Sequence, residues 1–151
     1  MSQFKLSQRS LKNLEGLDPP LIAVIKRAIE LTTVDFAVIE GLRTLKRQEE
    51  LVAAKASQTM ASKHLDGIAV DLMAYVDGKG SWDLKYYSPI ADAVKQAATE
   101  LKVPMKWGAA WNVNDITKWP KTMEEAKNHY ISERKSQGRK PFIDAVHFEL
   151  I

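Results

Sequence analysis

The stretch SKHLDGIAVDLMAY, residues 62–75, decides how this chain is read. Its second half is rich in β-branched and aliphatic residues and predicts a strand over residues 68–75. Successive side chains of a strand point to opposite faces, so Ile68, Val70 and Leu72 share one face while Ala69, Asp71 and Met73 share the other. The first face is expected to be core. The second carries a carboxylate in mid-strand, and burying that charge is costly unless a partner or a metal offsets it. His64 lies just before the strand, and Gly67 allows a sharp bend between them.

The other end of the chain repeats the device. In AVHFELI, residues 145–151, Val146, Phe148 and Leu150 point one way and Ala145, His147 and Glu149 the other. If the two strands are near neighbours, Asp71 and His147 project from the same face of one sheet. His64, Asp71 and His147 then form a set of two imidazoles and one carboxylate. Three such ligands leave the fourth zinc position to water, the arrangement of catalytic rather than structural zinc. Asp144 stands three residues before His147, close enough to act as a general base on that water, although an aspartate at a strand start also serves as a plain turn residue.

Around these strands the chain alternates helices and strands without repeats or low-complexity tracts. KLSQRSLKNLEG predicts a short helix with Ser7 as N-cap and Gly16 just past its end. Asp18 caps a second helix, with Pro19 and Pro20 in the first turn and Leu21, Ile22, Ile25, Ala28, Ile29 and Leu31 along one face. VDFAVIEG predicts a strand, TLKRQEELVAAK a helix, and VDGKGSWD a turn. SPIADAVKQAATELK predicts a helix with Ser88 and Pro89 as cap and first turn, VPMKWGAAW starts as a strand, and TMEEAKNHYISERKSQG predicts a charged helix stopped at Gly138. The elements lack the βαβ cadence and any glycine-rich phosphate loop. The expected fold is therefore α+β, a small mainly antiparallel sheet with helices packed around it.

Composition narrows the chemistry. A length of 151 residues, 45% of them hydrophobic, matches a single domain over residues 1–151. No cysteine is present, so thiol nucleophiles, disulfides and Cys-type zinc sites are excluded and any metal must be held by His, Asp or Glu. The N-terminal residues lack the apolar core of a secretory signal and no apolar run approaches the ~20 residues of a membrane span, so a soluble chain made in the cytoplasm, without membrane insertion, is expected. The net charge of +3 suits an anionic partner such as a bacterial envelope polymer or nucleic acid. A nucleic-acid binder is disfavoured because the basic residues form no clustered stripe interleaved with aromatics.

Ser62, His64, Gly67, Ala69 and Asp71 match the Ser-x-His-x-x-Gly-x-Ala-x-Asp signature of the zinc D-Ala-D-Ala carboxypeptidase-like peptidases, and Asp144 with His147 matches their Asp/Glu-x-x-His. GLRTLKRQEEL resembles the family's arginine-containing segment and KWGAAW its Trp-Gly-Gly-x-Trp region, with Ala109 in place of the second glycine. The short length and the terminal HFEL most resemble the bacteriophage endolysins of the L-alanyl-D-glutamate peptidase branch. The resemblance implies one zinc per chain on His64, Asp71 and His147, Asp144 as the catalytic base, and Arg43 near the site to stabilise an oxyanion or orient a substrate carboxylate. It also implies a zinc D-Ala-D-Ala peptidase-like fold and hydrolysis of the L-Ala-D-Glu amide in peptidoglycan stem peptides. Ser62, Trp107 and Trp111 are candidate substrate contacts, whereas His129 lies outside both motifs and is expected to be a surface residue. A monomer is expected, held in the host cytoplasm before lysis and acting afterwards in the periplasm and cell wall, with a separate pore-forming partner giving access. The rival readings are a D-Ala-D-Ala carboxypeptidase or dipeptidase, and a non-catalytic cell-wall-binding module in which Asp144 would have no use.

Overall fold

The computed structural model describes residues 4–55 and 63–151. Its elements run α1 (Gln8–Leu14), α2 (Pro19–Leu31), β1 (Asp35–Glu40), α3 (Leu45–Ala53), β2 (Ala69–Val76), β3 (Lys79–Ser81), α4 (Tyr87–Leu101), β4 (Met105–Trp107), α5 (Met123–Ser136) and β5 (His147–Leu150). Strand order is β1-β2-β5-β4, with β3 paired to β2, and every pairing is antiparallel. The fold is α+β, as the sequence predicts.

Local chemistry explains most helix ends. The Ser7 hydroxyl accepts from the Ser10 amide, Thr44 does the same for Arg47, and Thr122 for Glu125, each satisfying an amide that has no partner within its own helix. Asp18 occupies the N-cap of α2 without a side-chain bond, and Pro19 and Pro20 fill a turn whose amides would be unpaired in any case. Two expectations need correction. The helix α4 begins at Tyr87, so Ser88 lies inside its first turn and donates to Glu124 of α5 instead of capping. The turn near residue 77 is a hairpin with a third short strand. Asp77 and Gly78 both take positive φ, the geometry of a two-residue turn that matches strand twist, and the Tyr87 hydroxyl ties β3 to β2 by accepting from the Ala74 amide and donating to the Ser81 carbonyl.

The two faces of the sheet do different things. Phe36, Val38, Leu72, Ala74 and Phe148 join Leu21, Val24, Ile25 and Ala28 of α2 and Ile90, Val94, Ala97 and Ala98 of α4 in one buried cluster. Each large aliphatic side chain buried there contributes about 1.5–3 kcal/mol. The opposite face carries Asp71, His147 and Glu149, and the cluster beneath keeps their strands in fixed register. The exposed edge of β1 is partly covered by α1: Ser10 accepts from the Val38 amide and Asn13 donates to the Val38 carbonyl, so the middle of this edge is occupied.

Candidate metal centre and active site

Asp71 and His147 are direct cross-strand partners in the β2–β5 pair, so the period-2 alternation places both side chains on the same face. His64 reaches them from the turn before β2. Its ring meets that of His147 edge to face at 5.1 Å, and one donor atom from each of His64, Asp71 and His147 lies within 4.8 Å of the others. Asp71 Oδ1 is 3.2 Å from His64 Nε2 and 3.4 Å from His147 Nδ1.

The outer nitrogens of both rings are already committed. His64 Nδ1 donates to the Gly41 carbonyl at 2.9 Å, and His147 Nε2 donates to the Glu149 carboxylate at 2.8 Å. A neutral imidazole has one donor and one acceptor nitrogen, so in its neutral form each ring turns a lone pair toward Asp71, and that place is open to a proton or a metal ion. Three acceptors converging on one point repel each other unless a cation lies between them. An outer-shell acceptor behind each histidine is the usual way a protein fixes a metal-binding tautomer. The donor set of two nitrogens and one carboxylate oxygen, with no sulfur, fits zinc with an open position.

The electrostatics agree. Burial disfavours the charged Asp71, but hydrogen bonds to His147 and His64 outweigh it and hold the carboxyl well below the usual range. Burial likewise disfavours the His147 imidazolium, yet its bonds to Asp71 and Glu149 prevail and push its pKa up to about 9. The site is therefore short of positive charge, and a proton or a metal ion will compete to supply it.

Asp144 is shifted in the opposite direction from Asp71. Burial raises its pKa, the Asp71 charge adds to that, and the charges of His147, His64 and Arg43 oppose it. It sits in a turn held by backbone bonds: the Asp144 amide donates to the Gly108 carbonyl, the Gly108 amide to the His147 carbonyl, and the His147 amide to the Asp144 carbonyl. Gly108 is required there, because a Cβ at that position would stand 2.1 Å from the Asp144 carbonyl oxygen. Trp107 completes the clamp by donating its indole N–H to the Ala145 carbonyl at 2.8 Å.

This corrects the substrate role expected for Trp107. The side chain is 0% exposed and stacks on Phe148, so it supports the turn and cannot touch substrate. Ala109 is also fully buried, so its methyl group fills core space and leaves the groove surface unaltered. Trp111 is half-buried beside the centre, its ring 5.6 Å from that of His147 and stacked on the exposed Phe142. Arg43 is only 9% exposed. Its Nε donates to Glu40 and its Nη1 to Gln48, both at 2.6 Å, while its backbone amide holds the His64 carbonyl. Ser62 lies outside the described residues. His129 is exposed on α5 and bonds Asn112, far in sequence from either motif.

Sequence reasoning missed Glu149, Glu40, Gln48 and Phe142. Glu149 had a signal, since it is two residues from His147 on the same strand face. Glu40 is brought opposite Asp71 by a bulge at Ile39, which no local pattern announces. Gln48 is a fully buried polar residue on α3, visible only once its Arg43 partner is in place.

Comparison with known proteins agrees with this geometry. The L-alanyl-D-glutamate peptidase of Escherichia phage T5 is 35% identical over 115 residues, covering 74% of this chain and 84% of that protein. The crystal structure of the Serratia marcescens L-Ala D-Glu endopeptidase ChiX superposes with a TM-score of 0.73 at 35% identity, covering 99% of this chain and 92% of that one. The family model for phage L-alanyl-D-glutamate peptidases matches residues 1–151. With the His64, Asp71 and His147 cluster and the Asp144 turn in place, these matches show that the chain belongs to the phage L-alanyl-D-glutamate peptidase family.

Proposed function

We propose that this peptidase hydrolyses the L-Ala-D-Glu amide of peptidoglycan stem peptides with one zinc ion held by His64, Asp71 and His147. The observation that carries the metal is the pair of histidines whose outer nitrogens both donate to protein acceptors, leaving the two inner nitrogens to face the Asp71 carboxylate as metal ligands. Zinc bound there would supply Lewis acidity for the scissile carbonyl and for activating water near neutral pH. The remaining steps belong to the chain. Asp144, half-buried and with its pKa raised, takes the proton of the attacking water and returns it to the departing D-Glu amine. Arg43, a buried cation fixed by Glu40 and Gln48, stabilises the developing oxyanion or a substrate carboxylate. Trp111 and the exposed Phe142 wall one side of the cleft.

The chain is read as one peptidase domain acting as a monomer on the bacterial wall. No helix among the described residues is long and apolar enough to cross a membrane. On the reading as a phage lysis enzyme, passage from the host cytoplasm to the periplasm and wall uses a separate pore-forming partner. Metal analysis joined to mass spectrometry of digested peptidoglycan tests the proposal. About one zinc per chain, loss of activity on chelation with recovery on zinc addition, and new D-Glu amino termini are expected. Full activity in exhaustively chelated protein would reject the metal, and release of free D-Ala alone would reject the bond.

A further inference from the structure

A groove of about 320 Å³ opens beside Asp144, lined by Trp82, Leu84, Tyr87, Ile143, Asp144 and Val146. Its size lies at the lower end of small-ligand sites, which span roughly 300–1,000 Å³. Apart from Asp144 the lining carries no ionisable acid or base chargeable at neutral pH. Trp82 is 66% exposed, the most exposed large apolar side chain of the described residues, and Leu84 beside it is also exposed. An indole left in water next to a catalytic carboxylate suggests a binding role more than a packing one.

The sheet register gives the groove a direction. On β5, Glu149 lies opposite Ala69, His147 opposite Asp71, and the Val146 carbonyl accepts from the Leu72 amide, while β3 continues the same side of β2 from Ala74 onward. One end of the centre therefore carries Lys63, paired with Glu149 at 2.7 Å, and Lys106, across from Glu149 on β4. The other end carries the segment from Ile143 to Val146 and the Trp82 groove. The two ends differ in charge as the two sides of the scissile bond do. Beyond D-Glu the stem peptide bears carboxylates. On the other side L-Ala is joined through a lactyl group to N-acetylmuramic acid, an uncharged pyranose once its carboxyl is amidated. The sugar lies about two residue lengths from the bond, roughly 7 Å at ~3.5 Å per residue.

We propose that the groove between Trp82 and Ile143 is a saccharide subsite in which the Trp82 indole stacks on the glycan sugar that carries the scissile stem, while the acidic peptide leaves toward Lys63 and Lys106. The inference rests on the L-Ala-D-Glu reading of the site. A pyranose offers a face of C–H bonds that packs on an indole, and a lining with no cation, whose one ionisable acid is Asp144, disfavours the carboxylated peptide there.

The test compares a disaccharide-linked tetrapeptide with the same tetrapeptide lacking sugar. Wild-type protein should cleave the glycan-linked substrate with the higher kcat/KM, by roughly five- to tenfold on the scale of one aromatic contact. Trp82→Ala should abolish that preference through KM while keeping the wild-type rate on the sugar-free peptide, and Trp82→Phe should restore part of it. No preference in wild type, or an equal loss on both substrates, would overturn the subsite. A titration with the GlcNAc-MurNAc disaccharide alone, followed by the indole N–H signal that vanishes in Trp82→Ala, separates the two readings. If neither substrate is cut between L-Ala and D-Glu, the bond assignment fails, and a perturbed Trp82 signal still upholds the subsite. An unperturbed signal overturns it.

Discussion

The two histidines of the metal centre are held by different kinds of structure. His147 belongs to β5, in the middle of the sheet, and its position follows from the register that sets it opposite Asp71. Its outer nitrogen bonds an ionised side chain, Glu149, itself held by Lys63. His64 belongs to a turn, and what fixes it is main chain: the Gly41 carbonyl accepts from its ring and the Arg43 amide holds its own carbonyl. Gly67, at φ +72°, lets the chain turn from His64 into β2. One arm is set by sheet pairing and tuned by charge, the other by loop hydrogen bonds to neutral groups. Mutation of Glu149 can therefore tune the first arm gradually, while the Gly41 carbonyl behind the second is main chain that a side-chain substitution does not replace.

The largest effect should come from deleting a ligand. His147→Ala should lose the metal and nearly all peptidase activity, read by elemental analysis and turnover, and retention of stoichiometric zinc would show that the strand arm is not a ligand. Asp144→Asn should keep zinc and fold but lose at least ~100-fold in kcat, the scale of a general base. If it lost zinc instead, Asp144 would join the ligands. Glu149→Gln tests the charged acceptor on the strand arm, and a weakening of metal affinity by ~10–100-fold is expected from the loss of that support. An unchanged affinity would mean the two arms are equivalent despite their different acceptors. Gly108→Ala should cost about 1–3 kcal/mol in thermal or denaturant unfolding, because its methyl group meets the Asp144 carbonyl. His129→Ala should leave activity unaltered.

Acidity gives a further contrast. The His147 pKa is raised from 6.5 to about 9, so its contribution to the stability of chelated protein is full below about 6.5 and is lost as pH rises through about 9. Glu149 is shifted down, with burial outweighed by its bonds to His147 and Lys63. Its contribution is present above its ordinary value of 4.5 and disappears as pH falls through the lower folded value. Chelated protein should therefore lose stability at both ends, in pH-dependent melting curves, and Glu149→Gln should flatten the acid side. Because zinc replaces the His147 proton, calorimetry near pH 7.5 in buffers of different ionisation enthalpy should detect about one proton released per metal bound, and none well above pH 9.

The sequence by itself determined what depends on near neighbours along the chain. Alternation in residues 68–75 and 145–151 put Asp71 and His147 on matching faces, Ser7, Pro19 and Gly138 marked helix ends, and the absence of cysteine restricted the metal ligands. The Asp77-Gly78 hairpin was also legible, because two consecutive left-handed residues are chemistry that Asp-Gly favours, although the sequence reading stopped at a turn. Only the tertiary structure decided which of the aromatic and charged side chains face the cleft. Trp107 and Trp111 are four residues apart, yet one is sealed in the core beneath the Asp144 turn and the other borders His147. Arg43 could have been a surface residue at a helix start, and it became a buried cation because a bulge in β1 and the packing of α3 brought Glu40 and Gln48 to it. Local pattern fixes the direction of a side chain relative to its own strand or helix. Which group it meets depends on pairing register and packing between residues distant in sequence, and those are set by the free energy of the whole fold.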